Sequence, residues 1–152
     1  MILNNEITEL LKKVSIAYVG TSGVDNMPNV SIKGIVKYDA QKGEIFFLDL
    51  FKGTTEKNML ENPKVAISIV DHEQFSGYQL KGLVELISAG QEFDECVLHW
   101  GMEKHNRYRE RIGSNMKKYM TEGFSEYNLP TPKHLVKLTV QEIINMVPEV
   151  IG

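Results

Sequence analysis

The sequence predicts a mainly β, α+β fold: a small antiparallel barrel of about six strands with peripheral helices. Five segments of period-two apolar patterning come before any long helical pattern. Most of them are joined by short turns, which suit antiparallel pairing. A parallel, doubly wound sheet would instead need a crossover helix between each pair of strands. Closing the sheet into a barrel also removes the unpaired edges that an open sheet would leave.

The elements follow in order. Ile7, Leu10, Leu11 and Val14 recur at helical spacing and predict an amphipathic helix from about Asn5 to Lys13. The period then changes to two, giving a strand over Val14 to Thr21 and a turn at Ser22-Gly23-Val24-Asp25-Asn26. Pro28 to Tyr38 is a second strand, with proline at its first position, where a missing N–H does least harm. Asp39-Ala40-Gln41-Lys42-Gly43 reads as a hairpin turn into a third strand, Glu44 to Leu50. A short helix over Glu56 to Glu61 stops at Asn62-Pro63, because a residue before proline avoids helical geometry. Lys64 to Asp71 and Tyr78 to Ser88 are the fourth and fifth strands, separated by a loop from His72 to Gly77. Gly82 in the fifth permits close approach by another backbone.

The second half is more helical. Phe93, Cys96, Val97 and Trp100 share one face and predict a helix from about Gly90 to Lys104. Arg107 to Met120 is expected to be helical, divided at Gly113-Ser114-Asn115, and Gly123 to Lys133 to be a loop. His134 to Val147 supplies the closing strand, with Val136, Leu138 and Val140 on one face.

A chain of 152 residues is one domain by size, so residues 1–152 are read as a single unit. A formal charge of −3 argues against broad nucleic-acid binding, which asks for a basic surface. Cys96 is the sole cysteine, so no internal disulfide forms, which fits a reducing compartment. The first residues lack a basic stretch followed by an apolar run, and no apolar segment approaches the roughly 20 residues of a membrane span. The expectation is a soluble, cytoplasmic protein with neither a nucleic-acid nor a membrane partner.

The segment Leu48-Asp49-Leu50-Phe51-Lys52-Gly53-Thr54-Thr55-Glu56-Lys57-Asn58 is the most informative stretch. A strand leads in, a short helix leads out, and between them lie a lysine, a glycine and two threonines. Either threonine is a candidate helix cap. The first free N–H groups of the helix, reinforced by Lys52 or Lys57, suit a phosphate dianion. The same residues also read as an ordinary capped turn with a solvated lysine. On the second strand, Asn29, Ser31 and Lys33 share one face, and Val30, Ile32 and Val36 the other. The polar face is either a solvated outer surface or a platform for a flat ligand, with Lys33 supplying positive charge and Ser31 a hydrogen bond. Asp49 is a backbone cap or a contact for a ligand hydroxyl, the cap being the simpler role. On the fifth strand, Gln79 and Lys81 lie on one face.

Other chemistry has no motif behind it. Cys96, His99 and His105 do not make a zinc set, which needs four ligands of matching geometry. Cys96 lies on the apolar stripe of its helix and reads as a small buried hydrophobe. Neither a Gly-x-Ser-x-Gly elbow, a Gly-Lys-Ser/Thr phosphate loop nor a Gly-x-Gly-x-x-Gly fingerprint occurs. Arg107, Arg109, Arg111, Lys117 and Lys118 form a basic cluster, read as a solvated helix face or as a site for an anionic second ligand.

Set in order, the pieces resemble the pyridoxamine 5'-phosphate oxidase-like family, the FMN-binding split barrels. The resemblance rests on the Ala17-Tyr18-Val19-Gly20-Thr21 strand, Met27-Pro28-Asn29-Val30-Ser31-Ile32-Lys33, Gly43-Glu44-Ile45-Phe46-Phe47, Asn58-Met59-Leu60-Glu61-Asn62-Pro63-Lys64-Val65-Ala66, Gly77-Tyr78-Gln79-Leu80-Lys81-Gly82 and Val136-Lys137-Leu138-Thr139-Val140. It implies a homodimer with FMN at the subunit interface and an oxidoreductase acting between a reduced donor and a small acceptor. By position, the ring and its polar edge would meet Ser31, Ile32 and Lys33, with Leu48 and Asp49 nearby. The phosphate would meet Lys52, Thr54, Thr55 and Asn58, while Gln79 and Trp100 would come from the partner subunit. Thr54-Thr55 stands where members commonly have Lys-Thr, and Lys52 comes two residues earlier. A flavin carrier without turnover, or a barrel using haem or a deazaflavin, are the alternatives.

Overall fold

Six antiparallel strands close on themselves in the order β1-β2-β3-β6-β5-β4 in the computed structural model, which describes residues 1–49, 53–103 and 132–147. The strands are β1 (Ile16–Ser22), β2 (Pro28–Asp39), β3 (Glu44–Asp49), β4 (Lys64–Asp71), β5 (Ser76–Ile87) and β6 (His134–Asn145). Helix α1 (Asn5–Lys13) opens the chain, α2 (Thr54–Glu61) joins β3 to β4, and α3 runs over 91–103. The basic cluster, the second half of the predicted helical region and Lys52 lie outside the described residues.

Local chemistry sets these boundaries. Asn4 caps α1, its side-chain oxygen accepting from the Ile7 amide at 2.9 Å. The β2–β3 turn is held by Asp39, whose carboxylate accepts from the Gln41 and Lys42 amides, and by Gly43 at φ +68°, a left-handed position suited to glycine. Helix α2 ends where predicted, with Asn62 already extended ahead of Pro63. Its start differs. The helix begins at Thr54, the N-cap is Gly53, and no side chain caps it, so neither threonine caps this helix.

Alternation divides the side chains into two cores. Ala17, Val19, Ile45, Phe47, Val65, Ile67, Ile69, Leu80, Val136, Leu138 and Val140 point inward, joined by Ile7, Leu10 and Leu11 from α1 and Met59 from α2. On the far side of β3 and β6, Phe46, Leu48, Leu135 and Cys96 form a second cluster, against which Phe93, Val97 and Trp100 of α3 pack. The predicted stripe on α3 is thus its buried seam, and burial pushes the Cys96 thiol up. Gly82 sits at a register shift in the β5–β6 ladder, where a Cβ would run into the Thr139 carbonyl.

One face assignment is reversed. Asn29, Ser31 and Lys33 are the half-buried, inward side of β2, whereas Val30 and Ile32 are 69% and 60% exposed on its outside. Interior partners satisfy the polar side chains, so they gain nothing from solvent.

Candidate functional site

Three consecutive ladder positions at one end of the barrel carry polar residues in place of core. Ile35 faces Phe47 on β3, which faces Val136 on β6; two residues further along lie Lys33, Asp49 and His134. The two-residue period of each strand therefore keeps all three on the inward face. Lys33 Nζ donates to Asp49 Oδ1 at 2.6 Å, with the side chains 15% and 1% exposed. Asp49 thus holds an ion pair instead of a backbone cap. Its Oδ2 and the Nδ1 of His134 are buried and have no hydrogen-bond partner among the described residues. The other ring nitrogen of His134, Nε2, lies 3.2 Å from Glu56 in the first turn of α2.

Beside this row is a neutral network. The Asn29 amide donates to the hydroxyls of Thr21 (3.2 Å) and Thr55 (3.1 Å). Thr55 donates to Ser31 at 3.0 Å, and Asn58 donates to Thr21 at 3.1 Å. Thr21, Thr55 and Asn58 are buried, and each is satisfied as a buried polar group must be. Further on, Asn62 donates to the Ser22 carbonyl, and Glu61 accepts from the Val24 amide. Helix α2 is therefore pinned along its length to the start of β2 and the end of β1.

This pinning leaves the N-terminus of α2 chemically open. Glycine at the N-cap has no side chain to offer. The Thr55 hydroxyl is engaged with Ser31, and Glu56, which at the third helical position would often reach back to the cap, is turned to His134. Only Thr54 remains as an exposed hydroxyl there. A helix end with uncapped N–H groups carries partial positive charge and suits an anion.

The site residues named from sequence fall into three groups. Ser31, Lys33, Asp49, Thr55 and Asn58 come together behind the start of α2, and Thr54 sits at its tip. Leu48 is buried in the second core cluster, and Trp100 is half-buried against that cluster from α3. Ile32 and Gln79 lie on the outer face, in a ladder row with Tyr18 and Ser68 between them. Lys52 lies outside the described residues. His134, Glu56 and Thr21 were missed. Only the register of β6 against β3 brings His134 to Asp49, and no local sequence signal carries that register.

The outer face has its own character. Ile16, Val30, Ile32 and Leu83 are 40–69% exposed. Beside them a groove of about 450 Å³ runs over Gly20, Ala66 and Gly82, with Lys64, Lys81 and Glu142 at its side. Among the described residues no cluster of three or more histidine, cysteine or acidic groups has metal-binding geometry, and no helix is long and apolar enough to cross a membrane.

The model of the pyridoxamine 5'-phosphate oxidase family matches residues 3–146, so the chain belongs to that family. An uncharacterized protein of Methanocaldococcus jannaschii is 36% identical over 90 residues, a match spanning 59% of each chain. Among solved structures, HupZ of Group A Streptococcus is similar at 20% identity, with a TM-score of 0.70 over 96% of this chain and 95% of that one. HutZ of Vibrio cholerae, described as a haem storage protein, is 20% identical with a TM-score of 0.63, covering 95% of this chain and 94% of its own. At such identities the structural likeness establishes the shared fold.

Proposed function

We propose that this chain is an FMN-binding oxidoreductase that works as a homodimer in the cytoplasm. The observation that carries the reading is the start of α2, where glycine is the N-cap and the Thr55 and Glu56 side chains are engaged elsewhere. The first N–H groups of α2 and the Thr54 hydroxyl fit a phosphate; Lys52, the contact that the family resemblance implies, lies outside the described residues. Ser31, Thr55 and Asn58 serve from behind, fixing the helix end so that its amides stay aligned. Lys33 is spent on Asp49, so the positive character of the site comes from the helix end itself.

The apolar outer face supports the dimer. Exposed Val30 and Ile32 flank a groove floored by small residues, a surface that gains by being covered. Ile32 and Gln79 lie on that face, so a second copy laid against it would bring its Gln79 to a ring seated near Ile32. Trp100 would come from the partner at the edge of the same seam. Bound flavin supplies two-electron redox chemistry; the chain's part is to bind, orient and keep water from it.

The visible spectrum of the purified protein tests it. Flavin bands, with steady oxidation of reduced nicotinamide by the loaded protein, are the expected result. A flavin spectrum without turnover on any donor makes the chain a carrier. A Soret band in place of flavin bands would overturn the reading in favour of haem, which HutZ is described as storing.

A further inference from the structure

Glu56 is an odd residue to find beside an anion site. It stands in the first turn of α2, its side chain is 13% exposed, and a carboxylate there repels any phosphate bound at the helix end. Among the described residues the group that answers it is His134, which comes from the start of β6, 78 residues away. A carboxylate accepts and never donates, so Nε2 carries the hydrogen and donates to Glu56. Lys33 does not help, because its ammonium is taken by Asp49. Without His134 the row holds two carboxylates and one ammonium.

We infer that His134 is a specificity-determining positioning residue: it turns and screens the Glu56 carboxylate, so that the start of α2 accepts a phosphorylated ligand. This rests on the flavin reading above and deepens it, because it separates FMN from riboflavin, which differ only by the phosphate. Two features of the structure favour this role over that of a simple clamp. The contact is made by the only carboxylate of the helix's first turn, and the ring lies in register with a second buried carboxylate, Asp49. Lys33 answers Asp49, so the imidazole is left to Glu56.

The test is a charge cycle read by flavin-fluorescence titration, with FMN and riboflavin as the two probes at fixed ionic strength. Glu56→Gln removes the repelling charge and keeps a side chain able to meet the ring; FMN affinity is expected to rise roughly threefold. His134→Leu exposes the phosphate to Glu56 and is expected to lower FMN affinity by roughly three- to tenfold. In the double variant, His134→Leu should no longer weaken FMN, because the charge it answered is gone. Riboflavin affinity should stay level throughout. If Glu56→Gln weakens FMN as His134→Leu does, or if riboflavin falls in parallel, the pair is a structural clamp and the inference is overturned. Should His134→Leu fail to fold, Glu56→Gln still decides by the sign of its effect. A wild-type protein that takes up neither flavin refutes the flavin reading and this inference together. One that binds both flavins with the wrong pattern across the variants refutes this inference alone.

Discussion

Replacing Lys33 with methionine tests how strongly the polar end of the barrel depends on charge balance. Asp49 is 1% exposed, and among the described residues its second carboxylate oxygen has no hydrogen-bond partner and the lysine at 2.6 Å is its one ionic partner. At an effective dielectric near 20 that attraction amounts to about 6 kcal/mol, before the desolvation of both groups is subtracted. Removing one member of such a buried pair typically costs about 3–5 kcal/mol, because the remaining charge has nothing to answer it. With a urea slope of about 2 kcal/mol/M for a chain of this size, the midpoint should fall by about 1.5–2.5 M. The double variant Lys33→Met, Asp49→Leu removes both charges and should return to within about 1 kcal/mol of the starting stability. Urea melts followed by far-ultraviolet circular dichroism would measure both. A single variant whose midpoint moves by less than about 0.5 M would mean that water or another cation already answers Asp49, and a double variant as unstable as the single would mean that the loss is not that of a stranded charge; either would refute the argument.

Four other outcomes follow from the same geometry. Val30→Asp together with Ile32→Asp should convert a dimer to a monomer in analytical ultracentrifugation while leaving the urea midpoint nearly unchanged, because both side chains are exposed in the single chain; dimers that persist would move the interface elsewhere. Gly82→Ala should destabilise by about 2 kcal/mol or more, since the added methyl meets the Thr139 carbonyl in a backbone that cannot yield cheaply; an unchanged melting temperature would contradict the bulge. Lys13 donates to Asp71, and this hydrogen bond holds the Asp71 carboxyl below its usual value. A depressed carboxylate adds stability above its unfolded value, about pH 4, and loses it as the pH falls through the folded one, so Asp71→Asn should flatten the acid limb of a melting-temperature profile. Cys96 is 6% exposed with its thiol raised by burial, so a thiol reagent should label it only after unfolding; stoichiometric labelling of the native protein at the denatured rate would place α3 wrongly.

The barrel was legible because its signals are local. Period-two alternation, Gly43 in a left-handed turn and Pro63 after Asn62 each act within a few residues, and each element they predicted is present. Gly82 was legible for the same reason, as a strand glycine is rarely idle. The site was only half legible. The polar residues of β2 stood out, but alternation says that Ser31 and Ile32 point to opposite faces without saying which face is inside. Here the usual preference is inverted, because Thr21, Thr55, Asn58 and Asp49, from three other elements, receive the polar side. The threonines were read as caps because capping is a local rule; the network that takes Thr55 instead spans 24 residues to Ser31. His134 was hidden by sequence distance alone, lying 78 residues from Glu56.

The position of β6 has a consequence for how the chain reaches its native state. Strand β6, the latest among the described residues, lies between β3 and β5, hydrogen-bonded to both, so β1 to β5 cannot close on their own. During synthesis, which proceeds from the N-terminus, β1 to β5 leave the ribosome with two open edges and an uncovered interior until residues 134–145 arrive. The keystone arrives only after the five strands that it closes. Translational pausing before it, or a stop codon anywhere upstream, would therefore yield a sticky half-cylinder for chaperones and proteases to deal with, and no smaller working version of the protein.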